Sequence, residues 1–267
     1  MYSFLSCKSL SLFKKRWVPF STLSDLKDPF LFHHEVITQP QQPMSEGEFT
    51  QAVAELYDEL EPHIQAMVSR EYYCQQALQN REKIEAQLHS HKAKQQTPAA
   101  KHQAYYEKAC MLRLFRHIEH DAIWQLHAEE HTALAVQWNV EHDFFTQAQY
   151  AGGPQLFAAL EYDDARPEFP SKENPFPALL RRPEHYRYEQ EWRLIRPKRI
   201  AQKKDHHRHY FSVPKEAVVA IYIGLDVPDA IRESVQQLCQ YDLQFRHVKV
   251  FQMHTSDRYL RLAPQAL

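Results

Sequence analysis

The sequence predicts an α+β fold: a mixed or antiparallel sheet, interrupted after its second strand by a long helical insertion. Three observations predict it. Short aromatic and apolar runs open the chain and fill its second half. From about residue 44, apolar residues recur at helical spacing. Strand-like and helix-like stretches are segregated along the chain, the order that α+β folds show. The expectation is one domain over 1–267, with 44–118 as a helical insertion or arm.

The elements follow in order. "MYSFL" is aromatic and extended. "CKSLSLFKKR" places Leu10 and Phe13 one helical turn apart, and "WVPFST" reads as a second short strand. "SDLKDPF" carries the turn chemistry of Asp28-Pro29. Ser45 precedes Glu48 by three residues, a capping box that opens a helix. Val53, Leu56, Tyr57, Leu60, Ile64, Met67 and Val68 then share a face, and polar helical sequence runs on to about Lys94. "KQQTP" breaks it. A further helix is expected from near Ala99 through Tyr106, Leu112 and Phe115. After about residue 132 the strand candidates are "TALAVQWNV", "QLFAALEYD", "EQEWRLI", "RHYFSV", "AVVAIYIGL" and "HVKVFQMHT". Pro228 starts a helix with Ile231, Val235, Leu238 and Cys239 on one face.

Composition narrows the function. The chain is 43% hydrophobic and 25% charged with net charge -2, so no global field pulls it toward nucleic acid or membrane. It holds only 4 glycines and neither GxGxxG nor GxxxxGK[ST]. Phosphate-cradling loops of those types need glycine where backbone amides approach the ligand, which argues against Walker and Rossmann enzymes. The 4 cysteines form no CxxC pair, and no apolar run approaches the ~18 residues of a membrane span. The opening segment lacks the pattern of a secretory signal. These features lead to the expectation of a cytoplasmic protein with no membrane partner.

Several constellations could carry chemistry. In "HYRYEQEWRLI", Glu189 and Glu191 stand on one face of an expected strand, with Gln190 and Trp192 on the other. Paired carboxylates could position a nucleophile or hydrogen-bond a ribose hydroxyl. They could equally form an exposed charge ladder with Arg187 and Arg193, which alternation places alongside. "HAEEH" puts His127 and His131 at i, i+4 spacing, with Glu130 as a base. That suits a zinc hydrolase if a helix continues through both, although 17 histidines make a chance match easy. The basic stretch 196–209 could touch phosphate or nucleic acid, though a solvated hairpin loop is the favoured reading. In "PFSTLSD", Ser21, Thr22 and Ser24 carry hydroxyls that commonly cap a turn.

Four of these segments, in order, resemble a large bacterial family known by a domain-of-unknown-function label. They are the "MYSFLS" and "WVPFSTLSDLKDPF" opening, the central "AIWQLHAEEHTALAVQWN", the Glu-x-Glu-Trp-Arg of "YRYEQEWRLI", and "VVAIYIGLDVPDAIRESVQQL". More remotely, a first-strand residue, a Ser-Thr strand and a late Glu-x-Glu resemble the ADP-ribosyltransferase superfamily. That resemblance implies NAD as co-substrate and no metal. It implies Glu191 as catalytic carboxylate, with Glu189 orienting or deprotonating the acceptor. Tyr2, Ser21, Thr22 and Arg193 would line the cofactor site. The superfamily carries His or Arg at its first motif, where this chain has Tyr2 and Ser3. Either a different cation serves, such as one from the Arg196–Arg208 loop, or the chain does not bind NAD in that way. The function implied is a defence or toxin-like effector that transfers ADP-ribose. The alternatives are a non-catalytic binding module, homo-oligomeric through its helical arm, and the zinc hydrolase on His127 and His131.

Overall fold

The computed structural model describes residues 1–26, 44–58, 60–85, 88, 106–150, 153–168, 170–171, 174–205 and 208–267. The chain divides into two compact units, one formed by Met1–His34 with His102–Leu267 and the other by Glu35–Lys101. The fold is α+β, and the first unit contains an eight-stranded mixed sheet.

The first unit opens with β1 (Tyr2–Leu5), the short helix α1 (Leu10–Phe13) and β2 (Trp17–Phe20), as the sequence suggests. Ser45 and Glu48 form their capping box at the start of α2 (Glu46–Asp58) in the second unit. The long helix expected there is broken. Pro62 begins α3 (Pro62–Met67), and Ser69 caps α4 (Arg70–Gln79). Proline has no amide hydrogen to donate and its ring crowds the preceding turn, so a helix restarts at Pro62 and does not run through it. Phe49, Ala52, Val53, Ala77 and Leu88 form this unit's own small core. Asp28-Pro29, the break at "KQQTP" and the start near Ala99 lie outside the described residues.

The helix expected to run through Leu112 and Phe115 is instead a strand, β3 (Ala109–Phe115). Residues 109–115 are therefore sheet, not part of a 44–118 helical insertion. All of β3 except Arg113 is buried. A strand buried on both faces loses the alternation that marks a half-exposed one, and its apolar run is ambiguous in sequence.

After β3 come α5 (Asp121–His127), β4 (Leu134–Trp138) and α6 (Asp143–Thr146). Four short strands follow: β5 (Gln149–Tyr150), β6 (Gly153–Pro154), β7 (Leu156–Ala159) and β8 (Glu161–Tyr162). Then come β9 (Arg181–Arg182), β10 (Glu191–Pro197), β11 (Lys203–Asp205), β12 (Arg208–Ser212) and β13 (Val218–Ile223). Helix α7 (Asp229–Tyr241), β14 (Lys249–Thr255) and β15 (Leu262–Ala266) complete the chain.

The main sheet runs β15-β14-β13-β4-β1-β3-β10-β7. Within this sheet β13 and β14 pair in parallel, across the crossover that α7 provides, and its other described pairs are antiparallel. The two faces of β4 and β13 are covered differently. Leu134, Val136, Ile221 and Ile223 pack with Val235 and Leu238 of α7. Ala133, Ala135 and Ala220 face the other way, leaving room for the Trp124 indole of α5. A small sheet, β11-β12-β2, places the basic hairpin beside the start of the chain. Among the described residues, no helix is long and apolar enough to cross a membrane.

Candidate functional site

Arg113 is the one charged residue of β3. In the register of β3 with β10 it stands directly opposite Arg193. Two guanidinium groups in that position repel unless a counter-charge lies between them. Glu191 supplies it, two residues back along β10 and so on the same face. Its Oε1 accepts from Arg113 Nε at 2.6 Å and from Arg193 Nε at 2.8 Å. Its Oε2 accepts from Arg113 Nη2 at 2.8 Å. Arg193 Nη1 donates onward to the Leu179 carbonyl at 2.6 Å. The Glu191 amide donates to the Tyr162 hydroxyl at 2.7 Å.

Glu189 does not share that strand. It ends a 3-10 turn over Glu184–Glu189, and Gln190 adopts a left-handed conformation with φ 43°. The single strand face expected for both glutamates is therefore corrected to a turn followed by a strand. The two carboxylates still converge. Glu189 pairs with Arg182 of β9, takes a hydrogen bond from His127 Nε2 at 2.9 Å and lies 3.8 Å from Arg113 Nη2. Arg182 also reaches Glu191 Oε2 at 3.5 Å and stacks over Tyr186, 3.7 Å from its ring centre. Arg187, expected beside the pair, binds Glu184 at the surface instead.

The cluster is buried, with Glu189 and Glu191 each 1% exposed and Arg193 2% exposed, so it is not the solvated ladder that alternation suggested. Burial alone would raise the Glu191 carboxyl. The charges and hydrogen bonds of Arg113 and Arg193 overcome that and hold it well below the usual carboxylate range. Three guanidinium groups against two carboxylates leave one positive charge in excess.

His127 does not supply further charge. Arg113 Nη1 can only donate, and it meets His127 Nδ1 at 3.3 Å. Nδ1 therefore accepts, and Nε2 carries the proton that goes to Glu189. Burial pushes the imidazole pKa down, against the pull of the Glu189 hydrogen bond. Both ring nitrogens are engaged and the ring stacks on Phe115 at 4.7 Å.

The helical spacing that a zinc site on His127 and His131 requires does not form. Helix α5 ends at His127. Glu129, Glu130 and His131 then take positive φ angles of 49°, 53° and 68°. His131 turns to Asp121, with 3.0 Å between Nε2 and Oδ1, and stacks on Trp124. Among the described residues, no group of three or more His, Cys, Asp or Glu side chains is arranged to hold a metal. Left-handed non-glycine residues cost about 1–2 kcal/mol each, so this turn needs strong external restraint.

Arg113 and His127 also face a cleft of about 290 Å³. Ser6, Ser9 and Ser21 line it. Arg208 enters from β12, its Nη1 3.4 Å from Ser9 Oγ. The carboxylates are those of Asp25 and Glu129, and Phe4, Phe20, Phe115 and Leu126 supply apolar wall. Asp25 is committed to capping its own turn, through the Thr22 amide at 2.6 Å and the Thr22 hydroxyl at 3.0 Å. The arrangement offers guanidinium and hydroxyl donors to an anion and a flat apolar surface to a ring.

The residues named from sequence fall in different places. Ser21 is in the cleft wall, its backbone bridged to Met111. Thr22 serves the Asp25 cap. Tyr2 packs edge-on against Tyr222 at 5.4 Å, next to the cleft residue Phe4 but not in the wall. Glu189, Glu191 and Arg193 lie behind the wall, in contact with it through Arg113 and His127. Sequence reasoning missed Arg113, Arg182 and Glu129. Arg113 did leave a signal, a lone charge within the apolar run "ACMLRLF". Comparison of the chain with protein-family models, with curated proteins and with solved structures finds no match.

Proposed function

We propose that the cleft binds a small phosphate-bearing ligand, with Arg113 and Arg208 as its charge contacts. The observation that carries this reading is the buried cluster behind the wall. It holds one positive charge in excess, and Arg113, with its side chain 20% exposed, is where that charge meets the cleft. Glu189 and Glu191 are positioning residues that fix the Arg113 guanidinium before any ligand arrives, Glu191 by taking its Nε and Nη2. Preorganised guanidinium groups recognise phosphate well because no reorientation is needed on binding. The volume suits a mononucleotide or sugar phosphate, since sites for larger molecules begin at roughly 300 Å³.

NAD-dependent ADP-ribosyl transfer would use the same cleft. Its support is Ser21 in the wall and the phosphate contacts that the cations could make. Its difficulty is Glu191, whose carboxylate would have to leave Arg113 and Arg193 to face a ribose. NAD is therefore one probe among several. The basic stretch 196–209 contributes Arg208 to the cleft, which favours a small phosphate ligand over nucleic acid for that hairpin.

The test is calorimetric titration with inorganic phosphate, AMP, ADP-ribose and NAD, with an uncharged pentose as control. The phosphate compounds are expected to bind and the pentose not. Arg208→Ala is expected to weaken them about tenfold, as loss of one charge-assisted hydrogen bond implies, with the melting temperature unchanged. No binding by any phosphate compound overturns the reading. Release of nicotinamide from NAD would revive the transferase reading.

A further inference from the structure

The turn after α5 is strained and heavily restrained, and it delivers one side chain to the cleft. Three consecutive residues, Glu129, Glu130 and His131, hold φ angles of 49°, 53° and 68°. The surrounding fold leaves them little choice. Thr132 Oγ1 donates to the Glu129 carbonyl at 2.6 Å, and Cys7 Sγ donates to the Thr132 carbonyl at 3.0 Å. The Asp226 amide holds the His131 carbonyl at 3.2 Å, and the Gly224 amide holds that of Ala133 at 3.1 Å. Gly224 is packed so closely that a Cβ there would stand 2.1 Å from the His131 oxygen. A backbone held in unfavourable conformations by so many contacts points to a side chain that must be placed.

That side chain is Glu129. Its Oε2 accepts the Ser6 hydroxyl at 3.1 Å, and both residues line the cleft. Among the described residues Oε1 has no hydrogen-bond partner. A carboxylate repels a phosphate, so Glu129 must meet another part of the ligand. It accepts two hydrogen bonds where a ligand offers two adjacent hydroxyls, and the Ser6 oxygen adds a further acceptor beside it.

We infer that Glu129, oriented by Ser6 and the restrained turn, recognises the vicinal hydroxyls of a ribosyl phosphate and makes the cleft selective for ribose over deoxyribose. This rests on the phosphate-binding reading and names the substrate class of that same site. A site built to pair a ligand hydroxyl rejects the analogue that lacks it, because its own polar groups are then left unpaired.

The experiment compares AMP, its 2′-deoxy analogue and inorganic phosphate on the wild type, Glu129→Gln and Glu129→Ala. Wild type is expected to prefer AMP over the deoxy analogue about tenfold or more. Glu129→Ala is expected to bring that ratio near one, and inorganic phosphate to bind the variant as well as the wild type or better. Glu129→Gln, which keeps one acceptor, should fall between. Phosphate binding with no ribose preference in the wild type overturns this inference alone. So does a preference that survives in Glu129→Ala. Failure of every phosphate compound to bind overturns it together with the reading beneath it.

Discussion

Glu191 has two hydrogen-bonded guanidinium partners and almost no contact with solvent. Removing its charge strands Arg113 and Arg193 opposite each other in a dry site. Breaking a buried pair by deleting one partner costs about 3–5 kcal/mol. Glu191→Gln is therefore expected to lower the unfolding free energy by about that amount in urea titrations. A variant within about 0.5 kcal/mol of wild type would refute a structural role for this carboxylate. At this scale the sequence carried part of the answer. The partnership of Glu191 with Arg193 is legible, because alternation along one strand puts i and i+2 on one face. The exchange of Arg187 for Arg113 and Arg182 is not. Arg113 lies 78 positions from Glu191, and Arg182, though only 7 from Glu189, reaches it across a turn that strand alternation does not anticipate.

Among the elements, the strained turn after α5 and the strand β3 carry the site. Gly224→Ala would press a methyl group against backbone oxygens of His131 and Ala133, neither of which can swing aside. Overpacking of that kind costs about 1–3 kcal/mol. The variant is expected to melt lower and also to lose part of its AMP over deoxy-AMP preference, since the turn holding Glu129 must shift. Unchanged melting and unchanged preference would show that the turn tolerates movement. Helix α7 was readable from its apolar face, and α2 from its capping box, because both signals are local. β3 was not, because burial on both faces removes the period that distinguishes strand from helix. "HAEEH" failed for a related reason. Its spacing is meaningful only if a helix continues, and backbone contacts from 224–226 bend it away.

Acid should weaken the whole molecule in two stages. His127 is held neutral, its folded pKa pushed below the ordinary ~6.5 by burial. Its contribution is complete above about pH 6.5 and is lost as pH falls through the folded value, because the unfolded chain binds the proton first. Glu191 acts the same way lower down. Its folded value is depressed below the ordinary ~4.3, so its contribution is complete above about that pH and declines beneath it. Urea unfolding measured from about pH 8 to about pH 3 is expected to show falling stability throughout the acid range. His127→Gln, which keeps a donor for Glu189, should flatten the first stage alone. A flat profile between about pH 7 and about pH 5 in the wild type would contradict the neutral, buried imidazole.

By itself the sequence determined the α+β class, most strands in order, and the amphipathic helices. Periodicity and capping act over a few residues and survive in one dimension. It also marked Glu189, Glu191 and Ser21 as unusual. Only the tertiary structure decided that the glutamates stand behind a cleft and not in it, and that Arg113, Arg208 and Glu129 form its polar wall. Arg208 reaches Ser9 across 199 positions, and Ser6 reaches Glu129 across 123. Contacts of that span are set by strand register and sheet order, which no local pattern encodes. The physical reason is that a charge is cheap or costly according to what surrounds it, and its surroundings are assembled only when the sheet closes.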